Sequence, residues 1–211
     1  MKPNTYLFDF DGTLVDSMPT FVSAMLKVLN DYNVPYGDDI VKIITPLGYK
    51  GSAEYFQSLG LKLSTEEIIA LVSDFARREY KYNIQLKDGV YETLVALKNQ
   101  GASLNVLTAS PHDMLDPCLK RVGVYELFDF VWSCDDFSTT KADPNIYKLC
   151  ADKIGKSVEE IVFLDDNYNA CKTAKSSGMK VYGVFDSSSE DYVEEMKNLT
   201  DKYVFNFREL I

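Results

Sequence analysis

Short apolar runs alternate with amphipathic segments through the second half of the chain. The runs have the length of buried strands, and they cover residues 102–107, 130–133, 161–164 and 180–185. Segments with a helical spacing of apolar residues follow the first three runs, at 111–122, 144–154 and 169–177. This alternation is typical of β-α-β units that feed a mostly parallel sheet. The pattern therefore predicts an α/β fold.

The region between the first apolar run, residues 6–8, and this alternation has a different pattern. Residues 17–82 show helical periodicity, and Ser64 followed by Glu67 is a capping-box pattern. We therefore predict an inserted helical cap at 16–88, with residues 1–15 and 89–211 forming the sheet domain. Because both ends of the insert pass near the carboxyl end of the first strand, we expect the insert to act as a lid over that end.

Two carboxylates, Asp9 and Asp11, stand directly after the first predicted strand. Residues two apart in an extended chain point to the same side, so both side chains start out facing one site. Gly12 then lets the backbone turn sharply. At a separation of ~4 Å the two charges repel by roughly 4 kcal/mol at an effective dielectric of about 20. Such a pair needs a proton, a cation or a separation of roles.

The later predicted strands also end in groups that suit phosphate chemistry. Ligands of open α/β sheets bind beyond the carboxyl ends of the strands. The groups delivered there are Thr108, Ala109 and Ser110 after the second strand, Lys141 after the third, and Asp165 and Asp166 after the fourth. Hydroxyls and backbone amides at the start of a helix suit a phosphate oxygen.

An all-oxygen cluster of carboxylates selects a hard divalent cation, and a site shared with phosphate favours Mg²⁺. The single histidine, His112, and four widely spaced cysteines argue against a zinc or multi-histidine iron site. Once a metal and Lys141 offset the charge, one aspartate of the first pair can attack phosphorus while the other handles protons. The residues thus indicate phosphoryl transfer through an aspartyl-phosphate.

The net charge of −10 argues against a nucleic-acid or anionic-membrane surface, so we expect a small phosphorylated metabolite as the partner. An anionic substrate then needs local cations. Lys50 lies in a glycine-bounded segment, 46–51, which we expect to be a loop that places this lysine on the far end of the substrate; a plain interhelical turn is the alternative. No long apolar stretch follows Met1, and we expect a cytoplasmic monomer or weak dimer without a membrane span.

Four segments of the chain resemble the four ordered motifs of the haloacid dehalogenase-like hydrolase superfamily, in the branch with a helical cap that contains phosphoglycolate phosphatases and β-phosphoglucomutases. The segments are 9–17, 107–110, 141–147 and 163–167. The resemblance implies a Rossmann-like core, with Asp9 as the nucleophile and Asp11 as the general acid and then the base.

The same resemblance implies that Thr108 and Lys141 hold the phosphoryl group, with Ala109 and Ser110 beside them. It also implies that Asp166, with Asp165, completes the coordination of Mg²⁺ next to Asp9 and the backbone carbonyl of Asp11. Whether Asp165 binds the metal directly or lies behind the ligands stays open, because glycine is frequent at its position.

Single residues discriminate among the chemistries of this superfamily. Members that displace halide from carbon lack the second aspartate of the first motif, so Asp11 argues for phosphate esters. Phosphoglucomutase-type members carry a histidine near the start of the cap, where this chain has Phe21. We therefore expect a Mg²⁺-dependent phosphatase. A β-phosphoglucomutase-like phosphohexose mutase and a non-catalytic phosphate-binding protein remain the alternatives.

Overall fold

The computed structural model describes residues 3–44 and 47–211, which divide into two compact units. The first unit comprises Met1–Asp16 and Gln85–Ile211, and the second comprises Ser17–Ile84. These bounds differ from the predicted insert, 16–88, by one residue at its start and four at its end.

Backbone hydrogen bonds explain why residues 85–88 belong to the first unit. The Asp16 amide donates to the Gln85 carbonyl at 3.0 Å, and the Lys87 amide donates to the Leu14 carbonyl, also at 3.0 Å. These bonds tie the segment that returns from the second unit to the turn that follows the first strand.

Within the part of the chain that the structure describes, the first unit is built on a six-stranded sheet. Its strands are β1 (Thr5–Phe8), β2 (Ser103–Thr108), β3 (Phe130–Ser133), β4 (Val162–Asp165), β5 (Lys180–Val184) and β6 (Lys202–Val204). They lie in the order β3-β2-β1-β4-β5-β6, and every neighbouring pair is parallel. The predicted α/β class with a mostly parallel sheet is confirmed. The strand order reverses between β1 and β4, which is where ligands bind in sheets of this kind.

Helices of the first unit connect these strands. They are α5 (Val90–Asn99), α6 (His112–Arg121), α7 (Asn145–Ile154), α8 (Tyr168–Ser176) and α9 (Val193–Leu199). The three helices predicted between strands lie within one residue of their predicted ends. The sequence pattern did not single out α5 and α9.

The core of the first unit explains its strand composition. All four residues of β1 and of β4 are buried, as expected for central parallel strands covered on both faces. Leu7, Phe163 and Val181 from three neighbouring strands pack in one cluster with Ile146 and Tyr147 of α7. This packing holds the carboxyl ends of β1 and β4 at fixed positions.

The described residues of the second unit form four helices joined by short connections. Its helices are α1 (Met18–Asp31), α2 (Ile40–Ile44), α3 (Gly48–Ser58) and α4 (Thr65–Tyr82). Met25, Leu29, Phe56, Ile68 and Val72 form its apolar core. None of the described helices has both the length and the apolar character that crossing a lipid bilayer demands.

The prediction of a loop at 46–51 is wrong for residues 48–51, which form the first turn of α3. Pro46 lies outside the described residues. The reason is that Ala53 and Phe56 recur at helical spacing and are buried, so packing in the core extends the helix over the two glycines. The Lys50 side chain is 81% exposed, and its Nζ lies 4.0 Å from Oε1 of Glu54 on the same helix. Contact of Lys50 with a substrate stays a prediction.

The predicted capping box at Ser64 is confirmed. The Glu67 amide donates to Ser64 Oγ at 3.1 Å, and the Ser64 amide donates to Glu67 Oε2 at 2.8 Å. These two bonds satisfy donors that the first turn of α4 would otherwise leave unpaired.

We predict that Ser64→Ala lowers the free energy of unfolding by about 1 kcal/mol, because it removes the acceptor for the Glu67 amide. Urea unfolding followed by circular dichroism measures the loss. Ser64→Asp is the matched control, since aspartate also caps helices and should retain most of the stability. Equal losses in the two variants would contradict the capping role.

Candidate functional site

The site begins at the carboxyl ends of the two central strands. Phe8 of β1 pairs with Leu164 of β4, and the Asp9 amide donates to the Leu164 carbonyl at 2.8 Å. Asp9 and Asp165 follow these partners in their own strands, so the two side chains lie next to each other. Both residues are buried, with 4% and 0% of their surface exposed.

Asp166 adds a third carboxylate to this pair. One carboxylate oxygen from each of Asp9, Asp165 and Asp166 lies within 4.8 Å of the other two. The Thr13 hydroxyl donates to Asp166 Oδ1 at 3.0 Å and accepts from the Asp166 amide at 3.1 Å. We refer to Asp9, Asp165 and Asp166 as the acidic triad. Sequence reasoning did not assign Thr13, and its place two residues after Asp11 in the turn was the available signal.

Gly12 allows the turn after β1 to approach the acidic triad. Its φ is +72°, and a Cβ at this position would lie 2.7 Å from Asp166 Oδ2. Only glycine meets both conditions, because a side chain would be strained by the backbone and would collide with the carboxylate. The sequence prediction of a sharp turn at Gly12 is therefore confirmed, and the structure adds the contact that requires it.

Lys141 supplies the positive charge of the site. Its Nζ donates to Asp9 Oδ1 at 2.6 Å and to Asp165 Oδ2 at 2.7 Å, and 15% of its side chain is exposed. The Tyr147 hydroxyl of α7 lies 3.1 Å from the Lys141 carbonyl and 3.1 Å from the Ala170 carbonyl. The structure thus brings Lys141 to the acidic triad, as the sequence predicted, and anchors its backbone to α7.

Burial and mutual repulsion disturb the protonation of the triad. Burial, reinforced by the charge of Asp165, raises the pKa of Asp9 well above its ordinary value. Burial together with Asp165 and Asp186 raises the pKa of Asp166 to about 7. Burial alone would lower the pKa of Lys141, but the charges of Asp165 and Asp9 outweigh it and raise that pKa. Lys141 therefore stays protonated, whereas the raised pKa values of Asp9 and Asp166 show that one ammonium cannot balance three ionised carboxylates.

A hard divalent cation fits this group. The donors are carboxylate oxygens, and His112, the one histidine, is held elsewhere by Asp116 and Asp136. Three ionised carboxylates and one ammonium leave two negative charges, which a divalent cation would neutralise. Oxygen donors of this kind are the ligands that Mg²⁺ takes.

The residues after β2 lie close to Asp11. Thr108 is buried, and its Oγ1 accepts from the Ser110 amide at 3.0 Å. The Ser110 hydroxyl donates to Asp11 Oδ2 at 2.5 Å, whereas Ala109 is exposed. The Asp11 carboxylate thus contacts the segment that follows β2 through Ser110. Binding of a metal by the Asp11 backbone carbonyl stays a prediction.

Lys87 and Asp186 tie further segments to the site, and sequence reasoning missed both. Lys87 Nζ donates to the carbonyls of Gly12 and Phe185, each at 2.6 Å, and to Asp186 Oδ2 at 3.0 Å. Burial would raise the pKa of Asp186, but hydrogen bonds from Ser188 and the charge of Lys87 outweigh it and lower that pKa. No motif marks this network, which pins the turn after β1 to the end of β5.

Comparison with known proteins finds a family model, described as haloacid dehalogenase-like hydrolase, that matches residues 6–184. The chain is 29% identical over 180 residues to Pyrophosphatase PpaX of Bacillus velezensis, covering 84% of this chain and 81% of that protein. It is 27% identical over 186 residues to Phosphorylated carbohydrates phosphatase of Thermotoga maritima, covering 87% and 86%.

Among solved structures, the chain is similar to a putative beta-phosphoglucomutase from Thermotoga maritima. The TM-score is 0.83 at 24% sequence identity, and the match covers 100% of this chain and 96% of the other. At this identity the likeness establishes the shared fold.

We predict that Gly12→Ala weakens Mg²⁺ binding by about 10-fold or more, because the new methyl group displaces Asp166. Isothermal titration calorimetry with Mg²⁺ measures the change. Gly101→Ala is the matched control: its φ is +82° and nothing lies within 4 Å of the added Cβ, so it imposes similar backbone strain without the collision. Equal effects in both variants would show that strain alone acts.

We also predict that, in the presence of a chelator, the melting temperature falls as the pH is raised from about 5 to about 7, which lies between the unfolded and folded pKa values of Asp166. The pKa of Asp166 is raised from its ordinary 3.8 to about 7 in the folded protein. A raised pKa stabilises the fold fully below the unfolded value, and this stability is lost as the pH rises through the folded value. Excess Mg²⁺ should remove most of the fall.

The hydrogen bond with Asp116 raises the pKa of His112 above its ordinary 6.5, so stability contributed by this group is also lost as the pH rises. The measurement is therefore made in a His112→Gln background. There, Asp166→Asn should make the fall smaller, and the part that remains belongs to Asp9, whose pKa is also raised. A fall of the same size with and without Asp166 would contradict the assignment.

Proposed function

The chain belongs to the haloacid dehalogenase-like hydrolase family, and we propose that it is a Mg²⁺-dependent phosphatase acting on a small phosphorylated metabolite. The family inferred from the sequence motifs is confirmed, and with it the expectation of an enzyme of this hydrolase family. One observation carries the proposal: Lys141 lies between the buried carboxylates of Asp9 and Asp165, with Asp166 beside them. The names of the relatives, a pyrophosphatase and a phosphorylated carbohydrates phosphatase, support hydrolysis of phosphate compounds.

In this proposal Asp9, Asp166 and the backbone carbonyl of Asp11 would hold a Mg²⁺ ion, with Asp165 either beside them as a further ligand or behind them. When bound, the ion neutralises the carboxylates and polarises a phosphoryl oxygen of the substrate. Thr13 orients Asp166 for this purpose through its two hydrogen bonds. Asp165 also accepts from Lys141, so its direct contact with the ion stays a prediction.

Asp9 acts as the nucleophile of the first half-reaction. One carboxylate oxygen of Asp9 forms a bond to phosphorus while the bond from phosphorus to the leaving-group oxygen breaks. The electron pair of that bond stays on the leaving oxygen, which takes a proton from Asp11 and departs as an alcohol or acid. The product is a phosphoryl group carried on Asp9.

Water completes the reaction in the second half-reaction. Asp11, now a carboxylate, takes a proton from a water molecule as the water oxygen attacks phosphorus. The bond between phosphorus and Asp9 breaks, and its electron pair returns to the carboxylate. Inorganic phosphate leaves, with Asp9 and Asp11 restored to their starting states.

Lys141 and Thr108 bind the phosphoryl group in this proposal. The ammonium offsets the charge that would otherwise repel a phosphate dianion from the acidic triad. Thr108 Oγ1 accepts from the Ser110 amide, so its hydroxyl proton can be donated to a phosphoryl oxygen. As the resemblance implies, we assign the helical unit the role of a cap that excludes bulk water during the reaction.

We predict that Asp9→Asn lowers the hydrolysis of p-nitrophenyl phosphate, sugar phosphates and pyrophosphate at least about 1,000-fold, because the amide cannot form the phosphorylated intermediate. Chelation of Mg²⁺ should abolish hydrolysis by the unsubstituted protein. Asp31→Asn, which changes an exposed aspartate paired with Lys27, is the matched control and should retain full activity.

Three results would contradict the proposal in different ways. Activity that survives Asp9→Asn would remove the assigned nucleophile. Transfer of the phosphoryl group to a sugar, without ¹⁸O from labelled water in released phosphate, would identify a mutase. Tight phosphate binding without turnover of any substrate would identify a phosphate-binding protein.

A further inference from the structure

The Ser110 hydroxyl contacts a different group from the one that the sequence predicted for it. The sequence places it among the phosphate-binding residues, whereas its Oγ donates to Asp11 Oδ2 at 2.5 Å. A serine hydroxyl has one proton, so it cannot donate to a phosphoryl oxygen while it donates to Asp11. The contact therefore assigns the proton of Ser110 to the carboxylate that handles protons in the proposed reaction.

The backbone holds Ser110 in place for this contact. Its amide donates to Oγ1 of the buried Thr108, the last residue of β2. Because β2 pairs in register with β1, with Val106 opposite Phe8, the segments that leave the two strands run side by side. Residues 99 positions apart in the chain are thus brought together by the central pairing of the sheet.

The turn that carries Asp11 is equally well defined. The Gly12 amide donates to the Val15 carbonyl at 3.0 Å, and the amides of Leu14 and Val15 donate to the Phe10 carbonyl at 2.8 and 3.0 Å. The backbone on both sides of the contact is therefore fixed. The hydrogen bond from Ser110 restricts rotation of the Asp11 carboxyl group about its side-chain bonds.

We propose that Ser110 is a positioning residue that orients the Asp11 carboxyl group for proton transfer to the leaving group. This inference rests on the proposed phosphatase function. Ser110 keeps its own proton throughout: the proton that moves passes from Asp11 to the leaving oxygen as the phosphorus–oxygen bond breaks. Thr108 and Lys141 bind the phosphoryl group, and Ser110 acts on the step through Asp11.

The dependence of the rate on the leaving group separates this role from phosphate binding. Phenolate is a poor leaving group that needs a proton, whereas p-nitrophenolate is stable enough to leave with little help. A badly oriented acid therefore slows phenyl phosphate more than p-nitrophenyl phosphate. Loss of a contact with the phosphoryl group slows both alike, because that group is identical in the two substrates.

The experiment measures kcat/KM for both aryl phosphates with saturating Mg²⁺. We expect Ser110→Ala to lower kcat/KM about 10- to 100-fold for phenyl phosphate and less than about 3-fold for p-nitrophenyl phosphate. Ser110→Thr keeps the hydroxyl and should restore most of the loss. Binding of inorganic phosphate, measured by calorimetry, should be unchanged in Ser110→Ala.

Ser103→Ala is the matched control, because Ser103 lies at the opposite end of β2 and donates to Asp129. It should leave the ratio of the two kcat/KM values unchanged. Equal losses for both substrates in Ser110→Ala, together with weaker phosphate binding, would overturn the inference and return Ser110 to phosphate binding. If the unsubstituted protein hydrolyses neither ester nor any substrate of the wider panel, the proposed function itself fails, and the inference fails with it.

Discussion

The crowding of three buried carboxylates around one ammonium group is the constraint on which the rest of the site depends. Backbone pairing of β1 with β4 forces Asp9 and Asp165 together, and Asp166 joins them within 4.8 Å. The sheet imposes this arrangement against electrostatic repulsion, which is why burial and neighbouring charge raise the pKa of Asp9 and Asp166. Lys141 balances part of the charge, and a divalent cation would balance the remainder.

The topology of the sheet makes this crowding possible. In the strand order, β1 is central, with β2 on one side and β4 on the other. Groups from the start, middle and later part of the chain therefore meet at one edge. The 68-residue helical unit, residues 17–84, is inserted in the sequence shortly after β1. Backbone hydrogen bonds of Asp16 with Gln85 and of Leu14 with Lys87 join the two segments of the first unit that flank this insertion.

Two aspartates that are two residues apart have different surroundings. Asp9 is buried in the acidic triad and contacts Lys141, whereas Asp11 is partly exposed and accepts from Ser110. Groups of the same chemical type take separate roles when their environments differ. The separation suits a nucleophile, which gains from a neighbouring cation, and an acid, which must reach a leaving group outside the triad. The repulsion expected from two carboxylates so near in the sequence is thus reduced, because Lys141 contacts Asp9 and Ser110 contacts Asp11.

The sequence by itself determined the parallel α/β class, the helical character of the insert, and the meeting of Asp9, Asp165, Asp166 and Lys141. Apolar periodicity predicts strands, and parallel strands place the residues that follow them at one edge. The capping box at Ser64 was equally readable, because it depends on residues three apart.

Only the tertiary structure decided the first turn of α3 and the contacts that orient the site. The glycines at 48 and 51 are a local signal for a loop, and burial of Phe56 in the helical core overrides it. The bonds of Thr13 with Asp166, of Lys87 with Gly12 and of Ser110 with Asp11 join residues 75 to 153 positions apart. Such contacts depend on side-chain conformation and on the register of neighbouring strands, and neither leaves a periodic pattern in the chain.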